Sequence, residues 1–155
     1  LEFAELTGKE TVLDAYCGTG TIGILASEKA GRVIGVELNK DAVRDAVLNA
    51  KTNHADNVQF YRQDAGKFMV QMAEQDVKVD LVLMDPPRSG SDETFLTSLA
   101  RLAPEKVVYV SCNPLTLARD LEYLTKHGYC AVKAVGIDMF AMTEELEVVV
   151  MLSRK

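Results

Sequence analysis

Apolar residues fall in short runs rich in Val, Ile and Leu, separated by stretches in which they recur at helical spacing. The runs predict strands over residues 11–14, 32–37, 58–63, 80–85, 106–111, 130–137 and 146–152. The stretches between them predict helices over 22–29, 41–53, 65–75, 93–102 and 115–126. The last helix shows the period most plainly: Leu117, Leu121 and Leu124 share one face, and Gly128 stops it. Asp41 is read as the N-cap of the second helix, and residues 1–6 as the closing turns of a helix ended by Gly8.

Strands alternating with helices imply an α/β fold, a doubly wound sheet of seven mostly parallel strands with helices on both faces. Only eight residues separate the last two strands, too few for a helical crossover, so the last strand should run antiparallel as the second arm of a hairpin. The chain has 155 residues, 48% of them hydrophobic, and shows no linker or repeat, so a single domain over 1–155 is expected. It begins at Leu1 rather than Met, which reads as a piece of a longer protein.

The net charge of −6 is spread over both halves, so neither carries the basic excess that would neutralise many phosphates. Three scattered cysteines, Cys17, Cys112 and Cys130, form neither a disulfide framework nor a metal-binding pair, which suits a reducing cytoplasm. No apolar run reaches the length of a membrane span, and no basic-then-apolar leader opens the chain. His54 and His127 are read as surface or helix-end residues without a role.

In such a sheet, ligands gather at the carboxyl ends of the strands. The first strand leads into Asp14-Ala-Tyr16-Cys-Gly18-Thr-Gly20-Thr-Ile-Gly23, a tight turn opening a helix. Glycines there let a nucleotide cofactor approach the backbone and the helix N-terminus. The second strand ends in Glu37, placed to accept from ribose hydroxyls, and the third is followed by Asp64. A plainer reading makes Asp41 and Asp64 helix caps and Asp14 a brace for the loop; it is adopted for Asp41. The fourth strand runs into Asp85-Pro-Pro-Arg88-Ser-Gly90, a rigid extended turn after a carboxylate. The fifth ends in Ser111-Cys112-Asn113-Pro114, with a thiol where a helix begins, a setting that favours thiolate. Cys17 and Cys130 read as small core residues. Glu144 and Glu145 read as a solvated turn, whereas Glu147 lies in an otherwise apolar strand, costly for a charge without a partner. If the last strand neighbours the fifth, Glu147 and Cys112 face a common site.

Asp14-Ala-Tyr-Cys-Gly-Thr-Gly, Gly35-Val-Glu37, Asp85-Pro-Pro-Arg-Ser-Gly, Val110-Ser-Cys-Asn-Pro-Leu-Thr-Leu-Ala-Arg-Asp120 and Asp138-Met-Phe stand in an order and spacing that resembles the S-adenosylmethionine-dependent RNA uracil-5-methyltransferases. The resemblance covers nearly the whole chain. It implies a Rossmann-like class I methyltransferase fold and transfer of a methyl group from S-adenosyl-L-methionine to carbon 5 of a uridine, giving 5-methyluridine, with ribosomal RNA favoured over transfer RNA. It implies that Cys112 is the nucleophile adding to uracil carbon 6 and Glu147 the base that removes the carbon 5 proton. Asp14, Tyr16, Gly18, Gly20, Glu37, Asp64 and Asp85 would hold the cofactor. Asp85, Arg88 and Asn113 would contact the substrate, and no metal is implied in this segment.

Family members usually read Phe-Pro-x-Thr-x-His-Val-Glu before the last strand, whereas this chain reads Phe140-Ala-Met-Thr-Glu-Glu-Leu-Glu147 and keeps only the Thr143-x-x-x-Glu147 interval. The family's amino-terminal half, with its RNA-binding domain, is absent from the sequence, and RNA would be held mainly through it. Two other readings stand beside this one. An NAD-dependent oxidoreductase would share the glycine loop but leaves Asp85-Pro-Pro-Arg and Cys112-Asn-Pro without a purpose. A non-catalytic cofactor- or RNA-binding module would keep the loop without needing Cys112.

Overall fold

Strands β1 (Thr11–Ala15), β2 (Arg32–Glu37), β3 (Val58–Arg62), β4 (Leu81–Met84), β5 (Lys106–Ser111), β6 (Tyr129–Ile137) and β7 (Glu147–Arg154) form one sheet in the order β3-β2-β1-β4-β5-β7-β6. Helices α1 (Thr21–Ser27), α2 (Lys40–Thr52), α3 (Ala65–Glu74), α4 (Glu93–Leu102) and α5 (Pro114–Lys126) connect them. The computed structural model describes residues 2–139, 142–143 and 146–155. The turn expected at Glu144 and Glu145 lies outside the described residues, as does Leu1.

The first five strands are parallel, and β7 pairs antiparallel with both β5 and β6. The strand order reverses between β1 and β4, and this places the crevice of the sheet above the end of β1. Side chains of a strand point alternately to its two faces, and β1 divides accordingly. Leu13 and Ala15 join a core with Met69 of α3, Phe95 and Leu99 of α4 and Leu124 of α5. Val12 joins the opposite core with Ala26 of α1 and Ala4. Each of the fully buried leucines is worth roughly 2 kcal/mol of hydrophobic stabilisation.

Two local expectations change. The second helix is capped by Asn39, not Asp41: Asn39 is extended and its Oδ1 accepts from the backbone N–H groups of Asp41, at 2.9 Å, and Ala42, at 3.2 Å. Asp41 lies in the first turn, where a carboxylate complements the helix dipole, and pairs with Arg44 at 3.4 Å. At the start of the chain, the segment before Gly8 is a 3-10 turn over Glu2–Ala4.

Candidate active site

All the parallel strands end on one rim. Beyond β1 the chain turns through three residues of positive φ, Tyr16 at 61°, Gly18 at 54° and Gly20 at 85°. Cys17 N–H donates to the Val36 carbonyl at 3.1 Å and Gly20 N–H to the Cys17 carbonyl at 2.8 Å, so the loop is stitched to β2 and to itself. A Cβ on Gly20 would stand 2.7 Å from Phe60 Cζ; a Cβ on Gly18 would meet nothing within 4 Å and project into open space.

Two carboxylates fix this loop. Asp14 Oδ2 accepts Gly23 N–H at 2.8 Å from beneath, and Glu37 Oε2 accepts Gly18 N–H at 3.1 Å from the rim. The second Glu37 oxygen accepts Asn39 N–H at 2.8 Å. Asp14 is 1% exposed, and burial, with a contribution from the Asp85 charge, raises its pKa to about 7 against the opposing pull of the Gly23 N–H. The sequence expectation groups Asp14 with the cofactor residues; its carboxylate lies under the loop rather than on the open side. Asp64 stands beyond β3 and caps α3, its Oδ1 accepting Lys67 N–H at 2.9 Å. The Tyr16 ring leans on Phe95 with centroids 4.8 Å apart, and burial pushes its hydroxyl pKa up to about 12.

Across the crevice, Asp85 follows β4. Its side chain keeps a face to solvent, yet the groups crowding it, and then the Glu147 charge, hold its pKa above the usual carboxylate value. The turn after it is gripped by α5. The Arg88 carbonyl accepts Asn113 Nδ2–H at 3.0 Å and Thr116 Oγ1–H at 3.2 Å. Arg119 Nη2 donates to the carbonyls of Ser89, at 3.1 Å, and Ser91, at 2.9 Å.

Cys112 lies half-buried between Ser111, the last residue of β5, and Asn113, the cap of α5. Asn113 Oδ1 accepts Leu115 N–H at 3.1 Å and its own N–H donates to Ser111 Oγ at 3.1 Å, so the residues on both sides of the thiol are tied down. β5 and β7 are adjacent, with Ser111 opposite Val148; one further step of that register sets Cys112 against Glu147. On its other side Glu147 is opposite Ile137. Cys17 is buried, and burial raises its thiol pKa ahead of the charges of Asp14 and Glu37; Cys130 donates weakly to the Ser153 carbonyl at 3.6 Å. Cys17 Sγ lies 3.9 Å from the Gly18 carbonyl within the loop, and Cys130, opposite Ser153, is at the end of the sheet away from the rim.

The rim thus gathers Tyr16, Gly18, Gly20 and Glu37 on one side of the crevice and Asp85, Arg88, Cys112, Asn113 and Glu147 on the other, with Asp64 at the β3 end. Sequence reasoning missed the grip of Thr116, Arg119 and Asp120 on the turn after Asp85. The signal was present: counting from Asn113 these residues fall three, six and seven positions on, one face of a helix. Among the described residues no group of His, Cys, Asp and Glu side chains could hold a metal ion, and no helix is long and apolar enough to cross a membrane.

The model of a family described as tRNA (uracil-5-)-methyltransferase matches residues 2–155. A Clostridium tetani protein named as an RNA methyltransferase is 45% identical over 153 residues, which cover 99% of this chain and 33% of that protein. Another, from Halalkalibacterium halodurans, is 48% identical over 155 residues, covering 100% and 34%. The chain therefore spans about a third of the length of these relatives. The crystal structure of Pyrococcus abyssi tRNA (uracil-54, C5)-methyltransferase in complex with S-adenosyl-L-homocysteine superposes with a TM-score of 0.81 at 34% identity, over 97% of this chain and 36% of that one. Precorrin-6y C5,15-methyltransferase of Geobacter metallireducens, at 17% identity and a TM-score of 0.77 over 99% and 84%, shares the fold alone.

Proposed function

Because the chain belongs to the tRNA (uracil-5-)-methyltransferase family, we propose that it is the catalytic domain, over residues 1–155, of an enzyme that methylates carbon 5 of a uridine in RNA. Register carries the reading: Ser111 opposite Val148 sets a thiol and a carboxylate, Cys112 and Glu147, at one edge of the crevice.

The site fits S-adenosylmethionine. The space over Gly18 is open, as a ligand lying on the loop requires, and Glu37 offers a carboxylate at the end of β2 while it holds the loop. Tyr16, Gly18, Gly20, Glu37 and Asp85 would hold the cofactor, with Asp64 towards the adenine; Asp14 serves from below by keeping the loop in shape. Bound there, the cofactor would supply an electrophilic methyl group and leave as S-adenosylhomocysteine, its sulfur keeping the electron pair of the broken S–CH3 bond.

Uracil carbon 5 is a poor nucleophile. Addition of Cys112 Sγ to carbon 6 forms an S–C bond and moves the ring electrons towards carbon 5 and the carbon 4 oxygen, so that carbon 5 can accept the methyl group. Glu147 then takes the carbon 5 proton. The electron pair left behind restores the carbon 5–carbon 6 double bond, and the thiolate departs. Arg88 and Asn113 would steady the uridine or its phosphate, with Asp85 shared between cofactor and base.

The net charge of −6 makes this segment a poor RNA-binding surface by itself, so the remaining length of the complete protein would carry most of the RNA contact. A cytoplasmic setting suits the free thiol at Cys112. The ribosomal preference expected from the sequence stays within the proposal, although the family description and the archaeal enzyme's name both specify transfer RNA.

Calorimetric titration of this chain with S-adenosylhomocysteine beside NAD tests the cofactor: binding of the first alone supports the reading, and binding of NAD alone overturns it in favour of an oxidoreductase. The complete protein, mixed with cofactor and RNA carrying 5-fluorouridine, should form a covalent adduct that Cys112→Ala abolishes. Running ribosomal and transfer RNA in parallel identifies the RNA class. Cofactor binding with no adduct on either RNA would favour a non-catalytic module.

A further inference from the structure

The carboxylate of Asp120 has no exposed surface, a position that costs several kcal/mol for a charge unless it is fully paired. It is paired by three segments of the chain. Oδ2 accepts Ser91 N–H at 2.8 Å and Tyr109 Oη–H at 2.7 Å; Oδ1 accepts Arg119 Nε–H at 2.8 Å and lies 2.7 Å from Arg119 Nη2. The same Nη2 reaches the carbonyls of Ser89 and Ser91, so one guanidinium joins the buried carboxylate to the backbone of the turn after Asp85. Gly90, at a φ of +74°, is seated directly on the pair: a Cβ there would come within 2.6 Å of Arg119 Nη2 and 2.9 Å of Asp120 Oδ2.

This arrangement has a geometric consequence. The gripped turn begins at Asp85, the gripping helix begins two residues after Cys112, and Tyr109 lies three residues before Cys112 on β5. The Arg119–Asp120 pair therefore ties the turn after Asp85 to the strand and the helix that flank Cys112. A carboxylate buried like that of Asp120, even when paired with a half-exposed guanidinium, contributes little net stability compared with an apolar filling of the same space, so folding alone does not account for placing one here. A fork of five N–H donors in fixed directions can meet a carboxylate with two nitrogens and still reach two carbonyls, whereas a lysine offers three donors on a single nitrogen and an apolar side chain none.

We propose that Arg119 and Asp120 are positioning residues that set the turn from Asp85 to Ser91 against Cys112, and that addition of Cys112 to the uracil ring depends on that alignment. The inference rests on the function proposed above. It concerns the rate of the covalent step rather than affinity, because neither residue belongs to the set that would touch cofactor or base.

Arg119→Lys in the complete protein is the test. Half of the Arg119 side chain is exposed, and lysine keeps the charge beside Asp120 while losing the fork. Three quantities are compared with wild type: the rate of adduct formation on 5-fluorouridine RNA at saturating RNA and cofactor, the affinity for S-adenosylhomocysteine, and Tm. The adduct rate should fall at least about tenfold, since a displacement near 1 Å can cost about a hundredfold. Cofactor affinity and the half-saturating RNA concentration should stay within about threefold. Tyr109→Phe, which deletes one hydrogen bond to Asp120 without adding charge, should move the same rate in the same direction by less. An adduct rate within twofold of wild type in both variants overturns the inference, as does a fall in rate matched by proportionate losses of cofactor affinity and Tm. Wild-type protein that binds cofactor yet forms no adduct overturns the role given to Cys112, and this inference with it.

Discussion

Ser111 and Val148 stand opposite each other across the antiparallel pair of β5 and β7. A thiol and a carboxylate that are 35 positions apart in sequence, Cys112 and Glu147, thereby reach the same edge of the crevice. The strand that delivers the carboxylate is held on both sides, by β5 and by β6, so Glu147 is presented from a rigid element rather than a free loop.

That placement separates the two roles experimentally. Glu147→Gln keeps the size and hydrogen-bonding reach of the side chain but cannot take a proton. In the complete protein with ordinary uridine RNA and cofactor, this variant should accumulate a covalent protein–RNA complex, because addition and methylation proceed and elimination stalls. Turnover should fall by about a hundredfold to ten-thousandfold, the usual weight of a general base. Denaturing gel electrophoresis reads the complex; undiminished turnover, or no complex alongside lost turnover, would remove Glu147 from the base role.

The same substitution should be felt by Asp85. Crowding, and then the Glu147 charge, raise the Asp85 pKa, so removing that charge should lower it towards the ordinary carboxylate value while crowding still holds it above. Carboxyl-detected NMR titration of this chain, wild type against Glu147→Gln, reads the change without RNA. An unmoved Asp85 would mean that the two carboxylates do not share a local field.

How much of this was legible in the sequence differs from element to element. The central strands β1, β2, β4 and β5 were visible because apolar runs buried on both faces stand out, and the rim residues because they end those runs; β3 and β6, at the sheet edges, are largely exposed and were visible by their valines, isoleucine and aromatics. The antiparallel direction of β7 followed from the short connection before it. Its neighbour did not: pairing with β5 is a long-range choice that no local pattern states, and the register that brings Glu147 to Cys112 depends on it. Asn39 was passed over for Asp41 because both are good caps two positions apart, and only backbone dihedrals decide between them. For Arg119 and Asp120 the helical spacing from Asn113 was visible but the partner was not: Asp120 is buried because the turn after Asp85 closes over it, a contact spanning about 30 positions, while Arg119 keeps half of its side chain exposed.

Gly18 and Gly20 should respond differently to alanine, although both have positive φ. Either substitution strains the backbone by about 1–2 kcal/mol. At Gly20 the new methyl also meets Phe60 Cζ at 2.7 Å and Ala46 Cβ at 3.1 Å, so Gly20→Ala should lower the urea midpoint of unfolding well beyond Gly18→Ala. At Gly18 the methyl enters the open space over the loop, so Gly18→Ala should lose affinity for S-adenosylhomocysteine by about tenfold or more while losing only the stability that the backbone strain costs. Urea denaturation and calorimetry on the two variants read the contrast. Equal losses of stability would contradict the packing at Gly20, and unchanged cofactor affinity in Gly18→Ala would contradict the location of the ligand.

Asp14 should make the stability of the domain depend on pH in an unusual direction. Its folded pKa of about 7 lies above the ordinary 3.8, so the folded state holds a proton that the unfolded state releases across that window. The favourable contribution is complete below about pH 4 and is lost as pH rises through 7. At a proton's worth of about 1.4 kcal/mol per pH unit, the loss between pH 5 and 8 is roughly 2–3 kcal/mol. Asn at this position stays neutral and still offers an oxygen to the Gly23 N–H, so Asp14→Asn should remove the slope. Other carboxylates add their own pH dependence to both proteins, which makes the difference between the two curves the quantity to follow. Urea unfolding of wild type and Asp14→Asn at pH 5, 6, 7 and 8 should show the variant gaining on wild type as pH rises. Parallel curves would mean that the Asp14 carboxylate is ionised at neutral pH in the folded protein, its burial offset by more than the single Gly23 N–H now seen against it.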